Sequence, residues 1–111
     1  MCNHSHDERV SDRMEQLQII KGIAKALHCP KRWAIVDVIG TGTATTDEIR
    51  AALADRGDDL SKSGLYYHLS ELSDAGIIEV EGYVEEGRGA PTKRWTLRTE
   101  RIEIDLVDSE A

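Results

Sequence analysis

Between Leu60 and Gly76 the apolar residues Leu65, Leu69, Leu72 and Ala75 recur at steps of four, three and three. That spacing marks one face of an α-helix. Ser61 stands just before the run, where its hydroxyl can accept from a first-turn backbone N–H. Gly76 stands just after it, at the left-handed position that glycine enters most cheaply. The opposite face carries Lys62, Ser63, Tyr66, Tyr67 and Ser70, with one charge among them. A face made only for solubility would hold more Lys and Glu, so this one reads as a contact surface.

The same periodicity predicts a longer helix over 11–27, from Val10, Met14, Leu17, Ile20, Ala24 and Leu27, with Ile19 and Ile23 widening the stripe. An apolar face this wide asks for burial on two sides, one of them either the same domain or a second subunit. His28, Cys29 and Pro30 interrupt it, and Pro30 suits the first turn of a new helix. That helix carries Trp33, Ile35, Val36, Val38 and Ile39, apolar almost all round, and so is expected at the centre with Trp33 in the core. A tight connection of one or two strand residues follows at 41–44. Thr45 and Glu48 have capping-box spacing, and Ile49, Ala52 and Leu53 supply the stripe of a third helix before the turn Arg56-Gly57-Asp58-Asp59. After Gly76 the period becomes two. Ile78 and Val80 alternate with Glu79 and Glu81, and Gly82 marks a bulge. Residues 86–91 form a glycine-rich hairpin tip, and Lys93–Thr99 returns with Trp95 and Leu97 on one face. Ile102, Ile104 and Leu106 alternate again, as a further strand or an arm that pairs with a partner.

The expectation is therefore a mainly α protein with a small β-hairpin: a flexible tail at 1–9, a single domain over 10–107 and a frayed end at 108–111. The order of four helices and a hairpin is the winged helix-turn-helix arrangement.

Composition alters this picture mainly through charge. The 111 residues carry a net charge of −7, with no Phe and 5% aromatics, so the core must be aliphatic. Net acidity argues against nucleic acid, where binding neutralises phosphate. The distribution argues the other way. From Gly87 to Arg98 the charged residues are Arg88, Lys93, Arg94 and Arg98, without an acid. Acids dominate on both sides of this basic island. No apolar run approaches the ~20 residues of a membrane span, and the start does not read as a signal peptide. Two cysteines make no disulfide framework, which suggests a cytoplasmic setting. Cys2, His4 and His6, with His28 or Cys29, could ligate a soft divalent metal; the competing reading is an unstructured tail with incidental histidines. No cofactor is implied. No Ser/His/Asp set, phosphate loop or paired acid is visible, so the chain does not read as an enzyme.

A helix presenting Ser61, Lys62, Ser63, Tyr66 and Tyr67 suits the major groove of double-stranded DNA. A tip with Arg88, followed by Lys93 and Arg94, suits the backbone or minor groove. No acid near these wing cations is expected to neutralise them. Tyr66 could instead pack on the wing, and His68 reads as a hydrogen-bonded structural residue with a base contact as the alternative.

Leu60-Ser61-Lys62-Ser63 through Tyr67-His68-Leu69, then Leu72 and Ala75-Gly76-Ile77-Ile78, resembles the recognition-helix signature of ArsR-type winged-helix repressors. Leu65-Tyr66 with Leu69, the tip Gly87-Arg88-Gly89-Ala90-Pro91 and the strand end Leu97-Arg98-Thr99 resemble the PadR group. The resemblance covers about residues 30–99. It implies a homodimeric DNA-binding transcriptional regulator, with a recognition helix at about 61–75 and a wing at about 85–94. Dimerisation would use the N-terminal helix and the C-terminal strand. The chain departs from these groups in three places. The third helix lacks the cysteine-bearing metal motif, a strand-like 101–107 replaces the C-terminal dimerisation helix, and Gly64 occupies a position that usually bears a side chain. The competing function, favoured by the net acidity, is a winged-helix module that binds protein rather than specific DNA.

Overall fold

The computed structural model describes residues 4–85, 87 and 89–107. Helix α1 spans His4–Ala26, α2 Pro30–Ile39, α3 Thr46–Asp55 and α4 Lys62–Asp74. Strand β1 is Thr43–Thr45, β2 Ile78–Val84 and β3 Thr92–Leu97. The three strands form one antiparallel sheet in the order β1-β3-β2. The architecture is mainly α with a small β wing.

Local chemistry sets the boundaries. Thr45 and Glu48 form a complete capping box. The Glu48 N–H donates to Thr45 Oγ1 at 3.1 Å, and the Thr45 N–H donates to Glu48 Oε1 at 2.8 Å. Ser61 caps α4 by accepting from the Gly64 N–H at 3.0 Å. Gly76, at φ +77°, ends α4. There Ile77 N–H reaches Leu72 O and Gly76 N–H reaches Ser73 O, both at 3.0 Å, the paired bonds of a Schellman motif. The turn between α3 and α4 closes in the same way on Gly57, with Asp58 N–H on Leu53 O at 2.8 Å. The ladder shifts register between Val80 and Gly82. Glu81 is therefore the extra residue of a β-bulge, as the glycine in the strand suggested.

The core is aliphatic. Ile35 and Ile39 of α2, Ile49 and Leu53 of α3, and Leu65, Leu69 and Leu72 of α4 meet Ile77, Ile78 and Trp95 from the wing. Trp95 joins the layers further through its indole N–H, which donates to Thr46 Oγ1 at 3.0 Å.

Four features differ from the sequence reading. Helix α1 begins at His4, inside the segment assigned to a tail, since residues 4–10 contain neither Gly nor Pro to stop it. The connection before α3 is a three-residue strand with a place in the sheet, because Thr43, Ala44 and Thr45 pair with Thr96, Trp95 and Arg94. Residues 101–107 form no strand. Their alternation serves a different end: Ile102 and Ile104 lie over α1, lining clefts with Ile20 and Ile23. Trp33 is 56% exposed rather than central. It sits on the outer side of α2, beside Leu27, Ile102 and Ile104.

Candidate nucleic-acid interface

The N-terminal turn of α4 and the tip of the wing open onto one cleft. Lys62 and Tyr66 line it from the helix, Gly89, Ala90, Pro91 and Thr92 from the wing, and Asp47 from the start of α3. Core packing enforces this juxtaposition. Leu65, Leu69 and Leu72 are fully buried, so the residues between them must face outward. Ser61, Lys62 and Ser63 are exposed at the leading end. The Ser61 hydroxyl lies 3.4 Å from that of Ser63. The positive end of the helix dipole adds to Lys62 here, and no acid stands in the first turn of α4.

The two tyrosines take opposite flanks. Tyr66, 42% exposed, faces the sheet and shares a groove with Ser70, Val80, Lys93 and Trp95. Tyr67 is 58% exposed and faces α2, where the Arg32 guanidinium carbon lies 5.6 Å from its ring centre. Lys93 and Arg94, adjacent in β3, point to opposite faces of the sheet. The Lys93 ammonium sits 5.8 Å from the Trp95 ring centre, on the side of Tyr66. Arg94 donates through Nε to Glu81 Oε2 at 2.6 Å. The expectation that no acid neutralises the wing cations is thus corrected for Arg94. The bulge brings Glu81 within reach of it, which linear spacing could not reveal. Arg88 lies outside the described residues.

His68 is a structural residue, half-buried between the faces, and accepts at Nδ1 from Arg32 Nε at 3.0 Å. Burial, and then the charges of Arg32 and Lys31, hold its imidazole below the ordinary value of 6.5, against a smaller opposite pull from Asp58 and Glu71. Arg32 is the site residue that sequence reasoning missed. The available signal was partial: α2 carries three charged residues, Lys31, Arg32 and Asp37, a buried charge needs partners, and linear spacing does not say which of the three turns inward. Further polar ties join α2, α3 and the turn that leads into α4. Arg50 Nε donates to Leu60 O at 3.3 Å. Lys31 pairs with Asp58 at 3.4 Å, and Arg56 with Asp37 at 3.0 Å.

Of the residues considered as metal ligands, Cys2 lies outside the described residues. Cys29 is a half-buried free thiol preceding α2. Among the described residues no group of three or more His, Cys, Asp or Glu side chains could hold a metal ion, and no helix is long and apolar enough to cross a membrane.

This geometry, a solvent-facing second helix beside a β wing, defines the class of winged helix-turn-helix proteins. The sequence profile of the helix-turn-helix domain family matches residues 26–81, a little over half of the chain, and the chain belongs to that family. Among solved structures, it is similar to reduced HlyU from Vibrio cholerae N16961, at 20% identity and a TM-score of 0.61, over 80% of this chain and 82% of that one. It is similar to NolR from Sinorhizobium fredii, at 22% identity and a TM-score of 0.60, over 80% and 78% of the two chains. It is also similar to the homodimeric winged helix-turn-helix DNA-binding domain of a possible ArsR-family transcriptional regulator from Mycobacterium bovis. There the identity is 19% and the TM-score 0.62, over 79% and 71%. The ArsR-type fold anticipated from the recognition-helix residues is the fold observed. Among curated proteins, none matches the sequence.

Proposed function

We propose that this protein is a DNA-binding transcriptional regulator that acts in the cytoplasm, by binding rather than catalysis. The carrying observation is the cleft shared by Lys62 and Tyr66 of α4 and by residues 89–92 of the wing. It lets one duplex meet the helix and the wing together. In this reading α4 enters the major groove with Ser61, Lys62, Ser63, Tyr66 and Tyr67, and base edges are read there by hydrogen bonds. Lys93 and the wing tip with Arg88 follow the phosphates, while Arg94 contributes less because Glu81 already holds it.

The protein would act as a homodimer. Met14, Leu17 and Ile19 of α1 are 52%, 54% and 62% exposed, and Leu106 and Val107 of the C-terminal segment are 87% and 77% exposed. A second copy meeting α1 and this segment would cover that surface and set two α4 helices about 34–36 Å apart, one turn of DNA. Selection of bound duplexes from a random pool tests the reading. A palindromic motif is expected, with half-sites one turn apart and affinity that falls steeply with salt. Failure to retain any duplex at low salt would refute it.

A further inference from the structure

Arg32 brings a permanent positive charge into a nearly closed position on α2, 8% exposed. Its side-chain contacts lead to α4 and to the end of α1. Nε donates to His68 Nδ1 at 3.0 Å, and Nη1 donates to Ala26 O at 3.2 Å. Nη1 also lies 4.0 Å from Glu71 Oε1. The guanidinium carbon sits 5.6 Å from the ring centre of Tyr67, whose ring meets His68 edge-on at 5.4 Å. A buried guanidinium is tolerated only where its donors are matched. Here one of the two matched donors depends on an imidazole that can accept. His68 accepts at Nδ1 only as the neutral ring with its proton on Nε2.

We propose that Arg32, which lies off the DNA-facing surface, is a positioning residue for DNA binding: it presents Tyr67 of the recognition helix and requires a neutral His68, so acidification weakens the grip on DNA. Protonation turns Nδ1 from acceptor to donor and sets a second cation 3.0 Å from Arg32 Nε. Neither charge can then keep its place, and Tyr67 loses the guanidinium packed against it. The charged groups facing His68 are Arg32 and Lys31 from α2, Asp58 from the α3–α4 turn and Glu71 one turn along α4. Lys31 and Asp58 pair with each other at 3.4 Å, which leaves Glu71 as the counter-charge on hand, at the limit of ion-pair range from Arg32.

The sign of the effect is diagnostic. Acidifying a protein of net charge −7 makes it less negative, and this alone strengthens attraction to phosphate. A switch at His68 acts in the opposite direction.

The inference rests on the DNA-binding reading above, and one experiment separates the two. A labelled duplex, enriched by the wild-type protein from a random pool at neutral pH, is titrated at constant ionic strength from about pH 8 to pH 5. Helix content is followed by circular dichroism in the same samples. Wild-type affinity is expected to fall below the ordinary imidazole range, by up to about tenfold per pH unit for each bound subunit, with helix content unchanged. His68→Asn keeps an acceptor near the Nδ1 position but does not titrate. It should bind like wild type at neutral pH and hold that affinity in acid. Arg32→Lys keeps the charge but loses the planar fork that reaches His68 and Ala26 together; it should bind more weakly at neutral pH and show a flatter pH profile. Wild-type affinity that stays level or rises in acid overturns the inference. So does a His68→Asn protein that keeps the wild-type pH profile, or affinity lost only in step with helix content. Absence of any duplex binding at neutral pH and low salt overturns the DNA-binding reading, and this inference with it.

Discussion

Thr46→Val tests how firmly the wing is bolted to the helices. Thr46 is 1% exposed at the first position of α3, and its Oγ1 accepts the indole N–H of Trp95 at 3.0 Å. The same hydroxyl lies 3.5 Å from the Lys93 carbonyl, a distance at which little hydrogen-bond energy remains. Valine keeps the shape and puts a methyl where the hydroxyl was. The indole N–H, on a residue 4% exposed, then has lost its protein acceptor. Leaving such a donor unmatched costs about 1–3 kcal/mol. The added methyl returns at most about 0.8 kcal/mol of apolar burial. From the middle of that range, about 2 kcal/mol, the net loss should be about 1–2 kcal/mol, and Tm should fall by about 4–8 °C per kcal/mol in a domain near this size. Chemical and thermal unfolding measure it. A cycle with Trp95→Phe isolates the bond, and the Thr46→Val loss should shrink by about 1 kcal/mol when the donor is already gone. A loss below about 0.5 kcal/mol, the range of ordinary surface changes, would show that the bond contributes nothing to joining wing and helix.

Other substitutions probe the remaining features. Lys62→Ala and Lys93→Ala should each flatten the log–log salt dependence of duplex binding by about 0.9 per subunit, and Arg94→Ala by clearly less; salt titrations rank the three. Gly76→Ala forces a side chain into φ +77° and should destabilise by about 1–2 kcal/mol, read from denaturant midpoints. Ile19→Glu, on the exposed side of α1, should yield monomers by sedimentation without changing the thermal unfolding of the winged domain measured at low concentration.

Much of the architecture could be read from local signals because it is made by them. The α4 stripe, the Thr45–Glu48 box, the Ser61 cap, the Gly76 stop and the bulge near Gly82 each depend on residues within a few positions of one another. The features that escaped join residues far apart in sequence. Glu81 reaches Arg94 only because a bulge turns it there. Arg32 reaches His68 across 36 residues. Strand β1 exists because β3 offers it an edge, and Thr43–Thr45 has no strong pattern of its own. Residues 101–107 alternate like a strand yet form none, since the apolar surface available to Ile102 and Ile104 belongs to a helix. Trp33 was placed in the core on hydrophobicity alone, which does not say which side of a short, nearly all-apolar helix turns outward.

That outward turn leaves the chain with two tryptophans in contrasting settings, one sealed between sheet and helix and one open beside the C-terminal segment. Excited at the red edge of indole absorption, where tyrosine absorbs little, the chain emits from these two indoles. The sealed indole is an intrinsic gauge of folding, blue-shifted until the domain opens. The open one registers whatever later covers α1 and its neighbouring segment, so assembly and unfolding can be followed in one cuvette without any attached dye.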